Sequence, residues 1–329
     1  MSTAPLRAAM VPVTRQMRAY FAPVNRGNEA PTIFDPGLYA GFALDAPPAP
    51  WVDLGWVENF ARWHNSPTDA VRSGAKGLPA GQYRGALEAR VEFDFVQWGK
   101  LQMALAGGSE HMNVLAPAGS TWPAPSGGTP AAPVAVLPGS TAIELILGAG
   151  AVNAFPVGSL VAVDVDYQQQ TGYVGSGIAA AYVSSATAVK QDANYVRRVT
   201  FNVGRVAEAT ATSLVLAQPL LGGAPVAGAS AQRVVAFVDR EGGSFFQEWS
   251  GLFVAEEESG GRVCFYYPRL SASQAESKGV REEFTAFAKP LSAVWLKASF
   301  LALPFTDTND GQAVLCYRSY FPAVMAAAY

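Results

Sequence analysis

The sequence predicts a mainly β protein: an antiparallel β-sandwich or barrel with one flanking helix, interrupted by a second, smaller β-barrel or sandwich. Three observations lead there. From Leu87 to Phe95 the chain alternates without a break, with Leu87, Ala89, Val91, Phe93 and Phe95 on one side and Glu88, Arg90, Glu92 and Asp94 on the other. That is the two-residue period of a strand with one buried face. Directly after it, Trp98, Leu101 and Leu105 fall at helical spacing until Gly107-Gly108 stops the pattern. Elsewhere, short β-branched runs recur between Gly, Pro, Ser and Asn clusters, as in small all-β domains.

In chain order, residues 1–50 are rich in Pro and Ala and read as an extended arm, with a strand possible within Met10–Phe21 and turn signals at Asp35-Pro36-Gly37. APPAP at 46–50 is extended, because each proline drives its predecessor out of the α region. Trp51–Phe60 reads as a strand, and Ser66-Pro67 and GAKGLPAG (74–81) as loops. The stretch 116–139 is so dense in Pro and Gly that it reads as a domain crossing. Strands are then expected at Thr141–Leu147, Ser159–Tyr167, Tyr195–Val206, Ser213–Leu216 and Arg233–Val238, with a second Gly/Pro crossing at 220–230. The domains expected are therefore the arm 1–50, an outer domain of 51–116 with 239–329, and an inserted all-β domain at 117–238. The outer domain resumes with strands over Ser244–Glu257, Arg262–Leu270 (ended by a proline), Thr285–Phe305 and Val314–Phe321, and with a hairpin turn at Asp307–Gly311. Ser271–Glu283 reads as a polar loop.

Bulk properties narrow the function. Half the residues are hydrophobic and only 15% are charged, against roughly 25% in ordinary globular chains. With a mean hydropathy of +0.14, much of the surface is expected to be covered by protein contacts. A membrane span is not: the most apolar window, Ala142–Val163, is broken by Glu144, Pro156 and several glycines. A net charge of −3 and scattered arginines argue against a nucleic-acid-binding surface. The first residues lack an apolar core, so no signal peptide is expected, and Cys264 and Cys316 read as reduced core thiols of a protein made in the cytosol.

No catalytic, cofactor-binding or metal site is expected. Phosphate-loop, dinucleotide, nucleophile-elbow and zincin motifs are missing from the sequence, and the two histidines, His64 and His111, lie in loop-like surroundings. Asp164 and Asp166 share one face of a predicted strand, the geometry of a Ca²⁺ pair, but more simply the solvent face opposite Val161, Val163 and Val165. DTNDG (307–311) fails as a calcium loop, since its glycine comes one position early and Arg318 stands where a bidentate Glu belongs. Glu256-Glu257-Glu258 with Glu276, Glu282 and Glu283 read either as an ordinary solvated hairpin end or as a negative surface that, ringing a channel, would repel phosphates.

Three stretches, EARVEFDFVQWGKLQMALAGG, SGLFVAEEESGGRVCFYYPRLSASQAE and FTAFAKPLSAVWLKASFLALPF, together resemble the tail tube (major tail) proteins of tailed bacteriophages. The resemblance covers roughly residues 50–110 and 240–325. It implies a β-sandwich with a flanking helix, homo-hexameric rings stacked into a tube, and a virion location after assembly in the host cytoplasm. The partners it implies are the protein itself, a tape-measure protein and passing DNA, held without sequence-specific binding. By analogy Glu88, Arg90, Glu92 and Asp94 would face the lumen. Ser271, Gln274, Glu276, Lys278, Arg281, Glu282 and Glu283 would lie on the loop reaching the next ring, and 117–238 would decorate the outside. Competing readings are a carbohydrate-binding or host-adhesion module, a capsid decoration protein and a tail terminator.

Overall fold

The computed structural model describes residues 17–25, 28–39, 41–73, 78–97, 99–116, 133–165, 200–240, 247–256, 260–273 and 296–321. The elements are Met17–Pro23 (β1), Pro36–Tyr39 (α1), Val52–Asn65 (β2), Thr68–Ser73 (β3), Leu78–Arg84 (β4), Glu88–Phe95 (β5), Lys100–Gly107 (α2) and Glu110–Leu115 (β6). After these come Val134–Ala135 (β7), Glu144–Ile146 (β8), Leu160–Asp164 (β9), Val203–Ala209 (β10), Ser213–Leu216 (β11) and Ser230–Arg240 (β12). The last are Glu248–Glu256 (β13), Arg262–Ala272 (β14), Leu296–Ala302 (β15), Phe305–Thr306 (β16), Ala313–Val314 (β17) and Tyr317–Phe321 (β18). The protein is mainly β. The described residues fall into two compact units: the first within Met1–Ala22, Pro31–Trp98 and Trp249–Tyr329, the second within Pro23–Ala30 and Gly99–Glu248.

In the first unit the strands run β13-β1-β2-β5-β15-β14-β18, and a further β13–β14 pairing closes six of them into an antiparallel barrel. Closure removes the exposed edges an open sheet would carry. The predicted alternation of β5 is present: Ala89, Val91, Phe93 and Phe95 are buried. Leu87, expected on the same side, precedes the strand and is exposed. Opposite β5, the buried residues of β15 complement it in size, with Ala298 across from Phe93 and Phe300 across from Val91. The barrel interior is a cluster of rings in which Phe93 stacks on Phe300 (5.6 Å, 14°) and meets Phe95 and Phe253 edge-on at 5.0 and 5.2 Å.

Met17–Pro23 lies in the stretch read from sequence as an arm, yet it is a barrel strand with Ala19, Tyr20, Phe21 and Ala22 all fully buried. Alternation fails there because both faces are covered. Phe21 points to the ring cluster, while Tyr20 packs with Phe34, Trp51, Leu252, Val254, Cys264 and Tyr266 on the other side. Phe34, Tyr39, Phe42, Leu44 and Trp51 form that second layer, and polar bonds tie it down. Tyr20 Oη donates to Leu44 O (2.8 Å), Tyr266 Oη to Thr32 O (2.8 Å), and Arg262 Nη1 to Phe42 O (2.6 Å).

Two strands outrun their predicted ends. In β2 the register against β5 slips by one residue between Glu58 and Ala61, so Val57 faces Phe95 but Arg62 faces Val91. A period-two reading therefore stops at Phe60 although the strand continues to Asn65. In β14 the predicted proline stop, Pro268, sits inside the strand, between the segment paired with β18 (Arg262–Tyr266) and the segment paired with β15 (Leu270–Ala272). Its carbonyl accepts from Ser250 Oγ (2.8 Å), and the missing N–H falls where the strand exchanges partners. Next to Ser250, a Cβ added at Gly251 would overlap Cδ1 of the fully buried Leu270. Gly251→Ala is expected to destabilise the protein by roughly 1–3 kcal/mol through overpacking, read as a lowered urea midpoint.

The second unit is a sheet in the order β6-β12-β9-β10-β11-β8, with β7 also on β12. Leu137 N donates to Ile146 O (2.7 Å), which carries the β7 end round to β8. Inside lie Leu145, Phe155, Val161, Val163, Val206, Leu214 and Leu216. Ser213–Leu216 has its predicted bounds, Thr141–Leu147 is shortened to Glu144–Ile146 and Arg233–Val238 lengthened to Ser230–Arg240. The strands expected at Ser159–Tyr167 and Tyr195–Val206 fall partly outside the described residues and are seen as Leu160–Asp164 and Val203–Ala209. The helix expected to flank the outer domain is α2. It belongs to this unit, whose main segment runs over Gly99–Glu248 where an inserted domain was expected over 117–238. Gly108 ends α2 in the left-handed conformation (φ 61°, ψ 23°), as the Gly107-Gly108 pair predicts. The beginning and end of the Gly99–Glu248 segment are joined by Gln247, whose Nε2 donates to Ala104 O (3.2 Å) and to Ser109 O.

Candidate assembly surface

Glu88, Arg90, Glu92 and Asp94 project to one side of β5, each exposed or half-exposed, and their neighbours complete a charged face. Glu92 Oε2 lies 3.0 Å from Lys297 Nζ on β15, and Asp94 Oδ2 accepts from Asn59 Nδ2 (2.6 Å). Asn59 takes up φ 53° in the β2 bulge, a left-handed conformation that Asn tolerates. Trp63, half-exposed, pairs with Arg90 across the strands. Barrel alternation places these residues outward because Ala89, Val91, Phe93 and Phe95 take the interior. The ion pair is surface-exposed, so it sets charge pattern more than stability.

Beyond β2 the chain makes a hairpin that sequence reasoning missed. Thr68–Ser73 pairs with Leu78–Arg84 as a sheet of two strands, where 74–81 was expected to be a loop. Every side chain described in it, Thr68 to Arg72 with Gln82, is exposed. Gly and Pro at 79–85 erase the hydrophobic alternation that would announce a strand. Gly85 N closes its base on Pro67 O (2.8 Å).

The other predicted positions resolve as follows. Ser271 lies in β14, paired with Leu301, and so belongs to the barrel and not to a loop. Gln274, Glu276, Lys278, Arg281, Glu282 and Glu283 lie outside the described residues, as do Glu257, Glu258 and Asp166. Glu256 pairs with Arg262 (3.1 Å). Asp164, expected on a solvent face, is buried with Asn202 Nδ2 at 3.3 Å, since both faces of β9 are covered. Among the described residues no group of three His, Cys, Asp or Glu could hold a metal. DTNDG is the predicted turn, joining β16 and β17, with Gly311 N on Asp307 O (2.8 Å).

Cys264 is buried, Cys316 is half-buried, and both are free thiols. Burial pushes the Cys264 thiol up to about 12. His64 is exposed at the end of β2. His111, expected in a loop, is fully buried on β6 with Nε2 2.7 Å from Thr200 Oγ1. Burial, reinforced by the charge of Lys100, holds its pKa well below the usual 6.5. Lys100 Nζ donates to Asn113 Oδ1 (3.0 Å) and lies 4.3 Å from the centre of the Phe237 ring. Both contacts favour the ammonium, yet burial outweighs them and lowers its pKa to about 7. No helix among the described residues is long and apolar enough to cross a membrane. A scan against protein-family models finds no match to the chain, and a search of the curated proteins finds none either.

Proposed function

We propose that this chain is a self-assembling structural subunit of the bacteriophage tail-tube type, forming hexameric rings that stack into a conduit for DNA. The observation that carries this reading is the β3–β4 hairpin. An isolated pair of strands is marginal in water, and this one has every described side chain exposed. Packing against another copy of the chain would supply the missing burial. A ring made by repeating one heterologous contact, and a stack made by repeating another, needs two such complementary surfaces. The charged face around β5 suits the lining of the conduit, where acidic groups repel phosphate and keep DNA from adhering. A tape-measure protein would occupy the same lumen before the genome, and the assembled product belongs to the virion tail. The low overall charge is what a chain buried in repeated contacts requires.

Electron microscopy of the full chain at high concentration tests this directly, alongside a variant in which 68–84 is removed and Pro67 joined to Gly85. The wild type is expected to give rings or tubes with a central hole. The variant is expected to keep its melting transition and lose stacking. A hairpin-less chain that still forms tubes, or a wild-type chain that stays monomeric throughout, overturns the proposal.

A further inference from the structure

The first unit holds a cleft of about 380 Å³ between the segment that begins at Ile33 and the β16–β17 turn with β18. Its size is within the range of small-molecule sites, about 300–1,000 Å³. One wall is apolar, built from Phe34 and from Tyr266 and Tyr317, whose rings stack at 5.8 Å and 17°. The polar groups converge from rigid turns. Asp307 is fixed by Tyr317 Oη (2.6 Å) and by Asn309 N and Nδ2 (both 2.9 Å), and these bonds keep its carboxyl below the usual range. Asp35 spends Oδ1 on Gly37 N (2.7 Å), which leaves Oδ2 open. Arg318 lines the cleft with an exposed guanidinium that has no hydrogen bond or ion pair among the described residues.

The mixture of charges selects the ligand. A cation entering the cleft meets Arg318, and an anion meets Asp35 and Asp307. A neutral molecule with many hydroxyls opposes none of them. Its O–H groups donate to the carboxylates and accept from Arg318 and Asn309, while a face of C–H groups lies on the aromatic wall. From this arrangement we infer that the cleft is a saccharide-binding site accepting one or two pyranose rings. The site is separate from the proposed assembly surface and does not depend on it.

Saturation-transfer NMR on the full chain tests the inference, with methyl β-glucoside, methyl β-galactoside and methyl N-acetyl-β-glucosaminide as probes at about 10 mM, enough to populate a millimolar site. Transfer to the ring C–H protons of at least one probe is expected. Arg318→Ala and Asp35→Asn, both at exposed positions, are each expected to weaken that binding about tenfold or more. Unchanged melting of both variants separates lost binding from lost fold. Absence of transfer to every probe, or transfer undiminished in both variants, overturns the assignment. So does stronger binding of ethylammonium or acetate than of any sugar.

Discussion

Phe93→Ala is expected to destabilise the protein by about 3–5 kcal/mol, the usual cost of emptying an aromatic site in a packed core. Phe93 is 1% exposed and touches four other rings, Phe21, Phe95, Phe253 and Phe300, each from a different direction. Its loss removes the transfer energy of one ring and leaves a void that the barrel walls cannot collapse into, because their strands are hydrogen-bonded all round. Set against a typical total of 5–15 kcal/mol, that is a large fraction of the whole. Urea unfolding followed by tryptophan fluorescence reads the effect, and a loss below about 1 kcal/mol would place Phe93 outside the core.

Stability is expected to rise with pH between about 7 and 10.5, and Lys100→Met is expected to flatten that rise. The sign follows from proton binding. In this window Lys100, lowered by burial from 10.5 to about 7, is neutral in the native state and protonated in the unfolded chain. The unfolded chain then holds the extra proton, so raising the pH favours the native state, with a limiting slope of ~1.4 kcal/mol per pH unit for one site. His111 adds an acidic flank by the same logic. Its native pKa is depressed, so the unfolded chain takes up a proton as pH falls below 6.5 and stability drops. His111→Gln is expected to remove that flank. Asp239 lies across the strands from His111 and is present in both variants. Urea midpoints measured at a series of pH values check both slopes. A wild-type profile that stays level between about pH 7.5 and 9.5 would show that Lys100 keeps its proton in the fold.

How legible the molecule was depended on how each segment is buried. Strand β5 announces itself because one face meets the core and the other does not, and α2 because Gly108 supplies the left-handed stop. The DTNDG turn is legible for the same local reason: the Asp307 and Asp310 carboxylates accept from the backbone N–H groups of Asn309 and Gln312. Strand β1 carries no alternation since both faces are covered, and the partners that cover it include Leu252 and Val254, far away in sequence. Pro268 reads as a stop unless its strand is known to change neighbours there. Of the charged groups, the outward residues of β5 could be found by period, whereas the burial of His111 and Asp164 arises only once distant strands meet. The cleft residues 33–36 and 305–319 come together through the fold alone, and no spacing in the sequence connects them.

The clasp at Gln247 bears on the order in which the chain folds. The β5–β15 seam of the barrel joins Phe95 to Leu296, with the Gly99–Glu248 segment of the second unit lying between them in sequence. Closing so long a loop from a random chain is slow, because entropy is spent before any contact repays it. With Gln247 held to Ala104 and Ser109, the two ends of that segment are already neighbours, and the barrel experiences a short connection in place of about 150 flexible residues. The second unit is then the natural first folder and the barrel seam the late step. A cut in the second unit's backbone would leave native stability less changed than the rate at which the barrel closes.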